Sequence, residues 1–246
     1  MTTLPNYPTG QALHLLGGAR AKMPPVNLQT TPPRPLEAVV FDCDGLLLDT
    51  ETHWTTAETT LFARYGKTFG RDHKLRMIGS SMQATGKILE ELLEQPGRAS
   101  EINVEMLELV EEAMVTSEPM PGAADLVAEL RGRVPVALAS NSWRRLITVA
   151  LHAADLTDSF DVVVCGDEVD RPKPAPDIYL ETARLLGAAP ERTIALEDSP
   201  NGVRSARAAG MFVVGIPSFE GIELPEAHFV SDSLTSIDVR RALNLV

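Results

Sequence analysis

Phe41-Asp42-Cys43-Asp44-Gly45-Leu46-Leu47-Leu48-Asp49-Thr50 follows the apolar run Leu36-Glu37-Ala38-Val39-Val40. A short apolar run that stops at a glycine reads as a buried strand followed by a turn, and this one ends in two carboxylates. Alternate side chains of a strand point the same way, so Asp42 and Asp44 are expected on one side and Cys43 on the other. Two acids held close repel unless a cation or a proton lies between them, which points to a divalent metal site or a shared-proton dyad. The plainer alternative is an Asp-Gly turn in which the aspartates only shape the loop.

Beyond this stretch the chain turns helical. Trp54, Ala57, Leu61, Phe62 and Tyr65 recur at helical spacing, as do Ile88, Leu89, Leu92 and Leu93, then Val104, Leu107, Val110 and Met114. Stripes of this kind are core-forming faces. Gly66, Gly70 and the turn Gln95-Pro96-Gly97 divide them, so residues 52–118 read as an inserted α-helical bundle. From Pro121-Gly122 the pattern becomes regular alternation. Apolar runs at 135–139, 161–165, 193–196 and 211–216 are separated by helical segments near 123–131, 143–154, 175–187 and 200–209. Short buried strands alternating with amphipathic helices predict an α/β fold whose parallel sheet is covered on both faces, with residues 36–51 and 119–246 forming that core.

Residues 1–35 differ from everything after them. They contain no Asp or Glu and are punctuated by seven prolines from Pro5 to Pro35, so a flexible leader is expected. Few basic residues and no serine argue against a transit peptide. A chain of 246 residues has room for one large domain with an insertion. Its net charge of −12 opposes non-specific binding to nucleic acid or to anionic membranes. The two cysteines, Cys43 and Cys165, form no zinc or disulfide pattern, which fits a reducing cytoplasm. No apolar run reaches membrane-spanning length.

In parallel sheets ligands collect at the carboxyl ends of the strands. The first predicted strand ends in Asp42 and Asp44. The second ends in Ser140-Asn141-Ser142 ahead of a helix, where free N–H groups suit an anion; an ordinary N-cap would use the same residues. After the third comes Arg171-Pro172-Lys173-Pro174-Ala175-Pro176-Asp177, with Lys173 held between prolines as a fixed counter-charge or as a solvated loop lysine. The fourth ends in Glu197-Asp198-Ser199-Pro200-Asn201-Gly202, whose acids either bind a cation or favour the helix dipole. Four such features at one rim suit a Mg²⁺ ion and a phosphoryl group better than four coincidences.

The ordered set DCDGLLLDTE, SNS, KPAPD and EDSPNG resembles the four motifs of the haloacid dehalogenase superfamily, in its phosphatase and phosphomutase branch with a helical cap inserted after the first strand. The likeness covers residues 37–232 and leaves the leader outside. It implies a Rossmann-like core carrying a cap over residues 52–118. It also implies Asp42 as the nucleophile that forms an aspartyl-phosphate, and Asp44 as the group that protonates the leaving oxygen and then deprotonates water. Mg²⁺ is then expected on Asp42, the carbonyl of Asp44 and Asp198, with Glu197 adjacent. Ser140, Asn141 and Lys173 are expected on the phosphoryl oxygens. In this superfamily the dehalogenases lack the second aspartate, so Asp44 favours phosphoryl chemistry.

Substrate choice falls to the cap. β-Phosphoglucomutases resemble the core closely but carry histidine at the position of Trp54 and arginine at that of Met82. Asp49-Thr50-Glu51-Thr52-His53-Trp54 looks more like sugar-phosphate phosphatases, with His53 one residue off and facing elsewhere. Hydrolysis of a small phosphorylated metabolite by a cytoplasmic monomer is therefore the expected function, with a phosphomutase as the close rival. A receiver-type signalling module is a distant one, since receivers are shorter and lack the inserted bundle. Trp54, Gly79, Ser80, Ser81 and Met82 are the cap-side candidates for substrate contact.

Overall fold

A computed structural model describes residues 31–246; the expected flexible leader lies almost wholly outside them. Six strands form one parallel sheet: β1 (Ala38–Phe41), β2 (Val136–Ser140), β3 (Val162–Cys165), β4 (Thr193–Glu197), β5 (Phe212–Gly215) and β6 (Phe229–Val230), in the order β3-β2-β1-β4-β5-β6. Central β1 pairs with β2 on one side and β4 on the other, so that Phe41 lies beside Leu138 and Leu196. This register brings Asp42, Ser140 and Glu197 to a common rim.

Both faces of β1 are buried, as its unbroken apolar sequence requires. Val39 and Phe41 pack toward α5 (Ala123–Leu130) and α6 (Arg144–Ala153), whereas Val40 packs toward α7 (Asp177–Leu186) and α8 (Pro200–Ala208). The expected alternation of strands and helices is realised within one or two residues. β6, only two residues long and partly exposed, escaped the sequence reading because so short an edge strand has no periodicity to detect. A last helix, α9 (Ile237–Ala242), closes the chain.

Between β1 and α5 lie α1 (Glu51–Arg64), α2 (Arg71–Met77), α3 (Met82–Leu92) and α4 (Ala99–Met114). Among them α4 packs on both α1 and α3. Its buried stripe is Ile102, Met106, Val110 and Met114; Val104, expected inward, is 54% exposed. A strict four-residue step follows one face of the helix, and Val104 belongs to the opposite one. The two links into and out of these helices run side by side. The Asp49 N–H donates to the Glu118 carbonyl and the Met120 N–H to the Leu47 carbonyl, both at 2.9 Å. Leu46, Leu47 and Leu48 are buried under this paired hinge.

Candidate active site

Where the sheet rim meets the helical cap there is a cavity of about 60 Å³. From the core it is lined by Asp42, Asp44, Asn141, Ser142, Lys173 and Asp198, and from the cap by Glu51, Trp54, Glu58, Lys74, Met82 and Thr85, with Gly79 and Ser80 at the join.

Asp42 is 6% exposed and meets Lys173, whose ammonium donates to Asp42 Oδ1 at 2.5 Å, Glu197 Oε1 at 2.6 Å and the Ala139 carbonyl at 2.8 Å. Those three bonds use all the donors of a lysine. Burial alone would depress Lys173, yet Asp42 and Glu197 hold it well above its usual range. The carboxyl of Asp42 is pushed up to about 8: burial outweighs the attraction of Lys173, and Glu197 and Asp44 add repulsion. Asp198 is raised as well, by burial and by the charges of Asp42 and Glu197.

Oxygens of Asp42, Glu197 and Asp198 lie within 4.8 Å of one another. Lys173 pairs with Asp42 and Glu197 and leaves Asp198 without a cation partner, and this excess of buried carboxylates fits a hard divalent cation with oxygen ligands. The expected acid pair is thus redistributed. The side chain of Asp44 is not part of this cluster.

Asp44 is instead surrounded by donors. Thr50 Oγ1 and Trp54 Nε1 donate to its Oδ1 at 2.8 and 3.2 Å, and Ser140 Oγ and Ser142 Oγ to its Oδ2 at 2.9 and 2.8 Å. Ser140, expected to contact phosphate, is fully buried and directs its hydroxyl at Asp44; Ser142 is the serine of this triplet that lines the cavity. The triplet is not a helix cap either, since α6 starts after Trp143 without a side-chain cap.

Asn141 ties the rim together. Its Oδ1 accepts from the Lys173 N–H at 2.8 Å, and its Nδ2 donates to the carbonyls of Lys173 and Gly79, each at 3.1 Å. Asn201 Nδ2 donates to the same Gly79 carbonyl at 3.2 Å, latching the cap onto the core. Gly79 has a φ of +68°, and a Cβ there would come within 2.6 Å of Ser199. Gly45 is confined likewise: its φ is +82°, and a Cβ would sit 2.7 Å from Asp198 Oδ2.

Glu197 does not line the cavity. Its Oε1 accepts from Lys173 and from Tyr179 at 2.6 Å, and its Oε2 from the Asp198 and Ser199 N–H groups. Ser199, rather than either acid, caps α8 through the Gly202 N–H at 3.1 Å. Of the cap-side candidates for substrate contact, Trp54, Gly79, Ser80 and Met82 line the cavity, whereas Ser81 caps α3 through the Ala84 N–H. His53 does not line it.

Sequence reasoning missed Glu51, Glu58, Lys74 and Thr85. Lys74 Nζ lies 2.8 Å from Glu51 Oε2 and 3.0 Å from Glu58 Oε2, with Lys74 and Glu58 both 3% exposed. A buried ion pair is a signal, but one visible only after α1 and α2 are packed.

A family model described as haloacid dehalogenase-like hydrolase matches residues 39–216. The chain is 37% identical over 186 residues to a probable pseudouridine-5'-phosphatase of Drosophila melanogaster, covering 72% of this chain and 80% of the relative. It is 34% identical over 180 residues to a phosphorylated carbohydrates phosphatase of Thermotoga maritima, covering 72% and 82%. Among solved structures, CbbY of Rhodobacter sphaeroides in complex with phosphate superposes with a TM-score of 0.72 at 30% identity, over 85% of this chain and 100% of that one. Among the described residues no helix is long and apolar enough to cross a membrane.

Proposed function

This chain belongs to the haloacid dehalogenase-like hydrolase family, and from that premise we propose that it hydrolyses a small phosphomonoester, a sugar or polyol phosphate, through an aspartyl-phosphate on Asp42. The observation that carries the reading is the meeting of Asp42, Glu197 and Asp198 within 4.8 Å at the strand ends, where Asp42 and Asp198 line the same cavity as Asp44. The relatives named as phosphatases of pseudouridine phosphate and of phosphorylated carbohydrates support this substrate class.

With Oδ1 held by Lys173, the other oxygen of Asp42 is available to attack phosphorus. As the Asp42 oxygen–phosphorus bond forms, the bond to the ester oxygen breaks and Asp44 supplies the proton that this oxygen takes up. Water then gives a proton to Asp44 and attacks phosphorus, which releases inorganic phosphate and restores Asp42. Thr50, Trp54, Ser140 and Ser142 aim Asp44 in both steps. Lys173 and the Asn141 amide are proposed to offset charge on the transferring group. A divalent cation, Mg²⁺ in this reading, would be held by Asp42 and Asp198 with the Asp44 carbonyl as a further oxygen donor, and would supply charge neutralisation for an approaching phosphate. Glu197 buttresses that site by holding Lys173 and the start of α8.

A screen of sugar phosphates, polyol phosphates and other phosphomonoesters with Mg²⁺, following released phosphate, tests the reading. Phosphate release is expected from several of them. Interconversion of sugar phosphates without net release would instead assign a mutase.

A further inference from the structure

The cap wall of the cavity holds two carboxylates and one ammonium, all on α1 and α2: Glu51, Glu58 and Lys74. Lys74 is committed to both acids, at 2.8 and 3.0 Å. Resting on the phosphatase reading and deepening it, we propose that this cluster is a charge filter, admitting uncharged polyhydroxylated leaving groups and rejecting those that carry a carboxylate or a second phosphate.

Three features support the filter. With both acids ionised the cluster carries one net negative charge. Burial pushes Glu58 up to about 7 against the pull of Lys74, and with Glu58 protonated the cluster is neutral. In neither state is positive charge left over for an anion. Second, Glu51 Oε2 is buried and accepts no hydrogen bond beyond its ion pair with Lys74. A buried carboxylate oxygen with a free lone pair is a ready acceptor for a hydroxyl, and an unmet one costs stability. Third, the rest of this wall is Trp54, Met77, Ile78, Gly79 and Met82 with the hydroxyls of Ser80 and Thr85, which adds no cation. The positive charge that an anionic leaving group needs is thus confined to Lys173, which lies on the phosphoryl side and is already bonded to Asp42 and Glu197.

The experiment compares pairs of esters that share a carbon skeleton and differ in the charge of the leaving group, glycerol phosphate against phosphoglycerate and a hexose monophosphate against its bisphosphate. Each is assayed for phosphate release and as a competitive inhibitor of p-nitrophenyl phosphate hydrolysis. The member with the uncharged leaving group is expected to be favoured by about tenfold or more, because like-charge juxtaposition is costly in a desolvated site. Glu51→Gln/Glu58→Gln should narrow that ratio, and Lys74→Gln, which leaves the acids without their counter-charge, should widen it. Equal treatment of both members by the wild type, or a ratio that no variant moves, overturns the filter. Loss of the phosphatase reading shows separately, as no phosphate release from any ester, and takes the filter with it.

Discussion

Trp54 Nε1 donates to Asp44 Oδ1 at 3.2 Å, so the first helix of the cap holds the carboxylate that the core places at the cavity. An indole N–H can only donate. It therefore fixes one oxygen of Asp44, while the hydroxyls of Thr50, Ser140 and Ser142 can rotate to either role. Trp54→Phe keeps the ring and removes the donor. A hydrogen bond to a charged group is worth about 1.5–3 kcal/mol, so kcat should fall by about ten- to a hundredfold with KM less affected. Steady-state kinetics on one sugar phosphate check this, and an unchanged kcat would remove Trp54 from the positioning of Asp44.

Gly202 lies under the Glu197 carboxylate, where an added Cβ would overlap it. Gly202→Ala must push Glu197 off Lys173 or distort α8. Overpacking of this kind costs about 1–3 kcal/mol, and turnover should fall with it because Lys173 loses one of its two acids. Urea denaturation together with an activity assay measures both, and a variant as stable and active as the wild type would contradict the arrangement.

Removal of divalent cations should cost stability. The carboxyls of Asp42 and Asp198 are both driven up, first by burial and then by neighbouring acids, Glu197 and Asp44 for Asp42, and Asp42 and Glu197 for Asp198, so a cation that binds the folded state relieves them. Mg²⁺ at about a hundred times its dissociation constant adds about 2.7 kcal/mol to unfolding. Melting curves of chelator-treated protein with and without Mg²⁺ should show the shift, and Asp198→Asn should shrink it. Equal shifts in the two proteins would move the cation elsewhere.

The C-terminal half of the sheet should be acid-sensitive through His228, which stacks on Phe212 with ring centroids 4.2 Å apart and accepts from the Val213 N–H at 2.8 Å. Burial, with Arg207 alongside, lowers its pKa from the usual 6.5 to about 4. A base with a depressed folded pKa contributes fully above 6.5 and loses that contribution as pH falls toward about 4. Melting temperature should therefore drop across this window, and less in His228→Gln. Parallel pH profiles for the two proteins would contradict the assignment.

The core was legible because β1, β2 and β4 are runs of mostly apolar residues ending in chemistry: Asp42, Ser140 and Glu197 reach one rim through pairings that any parallel sheet would make. What the sequence could not show was where those side chains spend their hydrogen bonds. Ser140 turns to Asp44 and Glu197 to Lys173, both decided by neighbours distant in the chain. The cap was less legible still. Nothing in the sequence pairs Glu58 with Lys74, sixteen residues apart, and only the folded chain buries them together. α2 itself has seven residues, too few for a periodic signal.

The aspartyl-phosphate on Asp42 is open to direct capture. Wild-type protein mixed with Mg²⁺ and a phosphomonoester labelled in its phosphoryl group, then quenched in acid within one turnover, should carry the label on Asp42. Asp42→Asn should carry none and release no phosphate while remaining folded. Label on another residue, or sustained turnover by Asp42→Asn, would contradict Asp42 as the nucleophile.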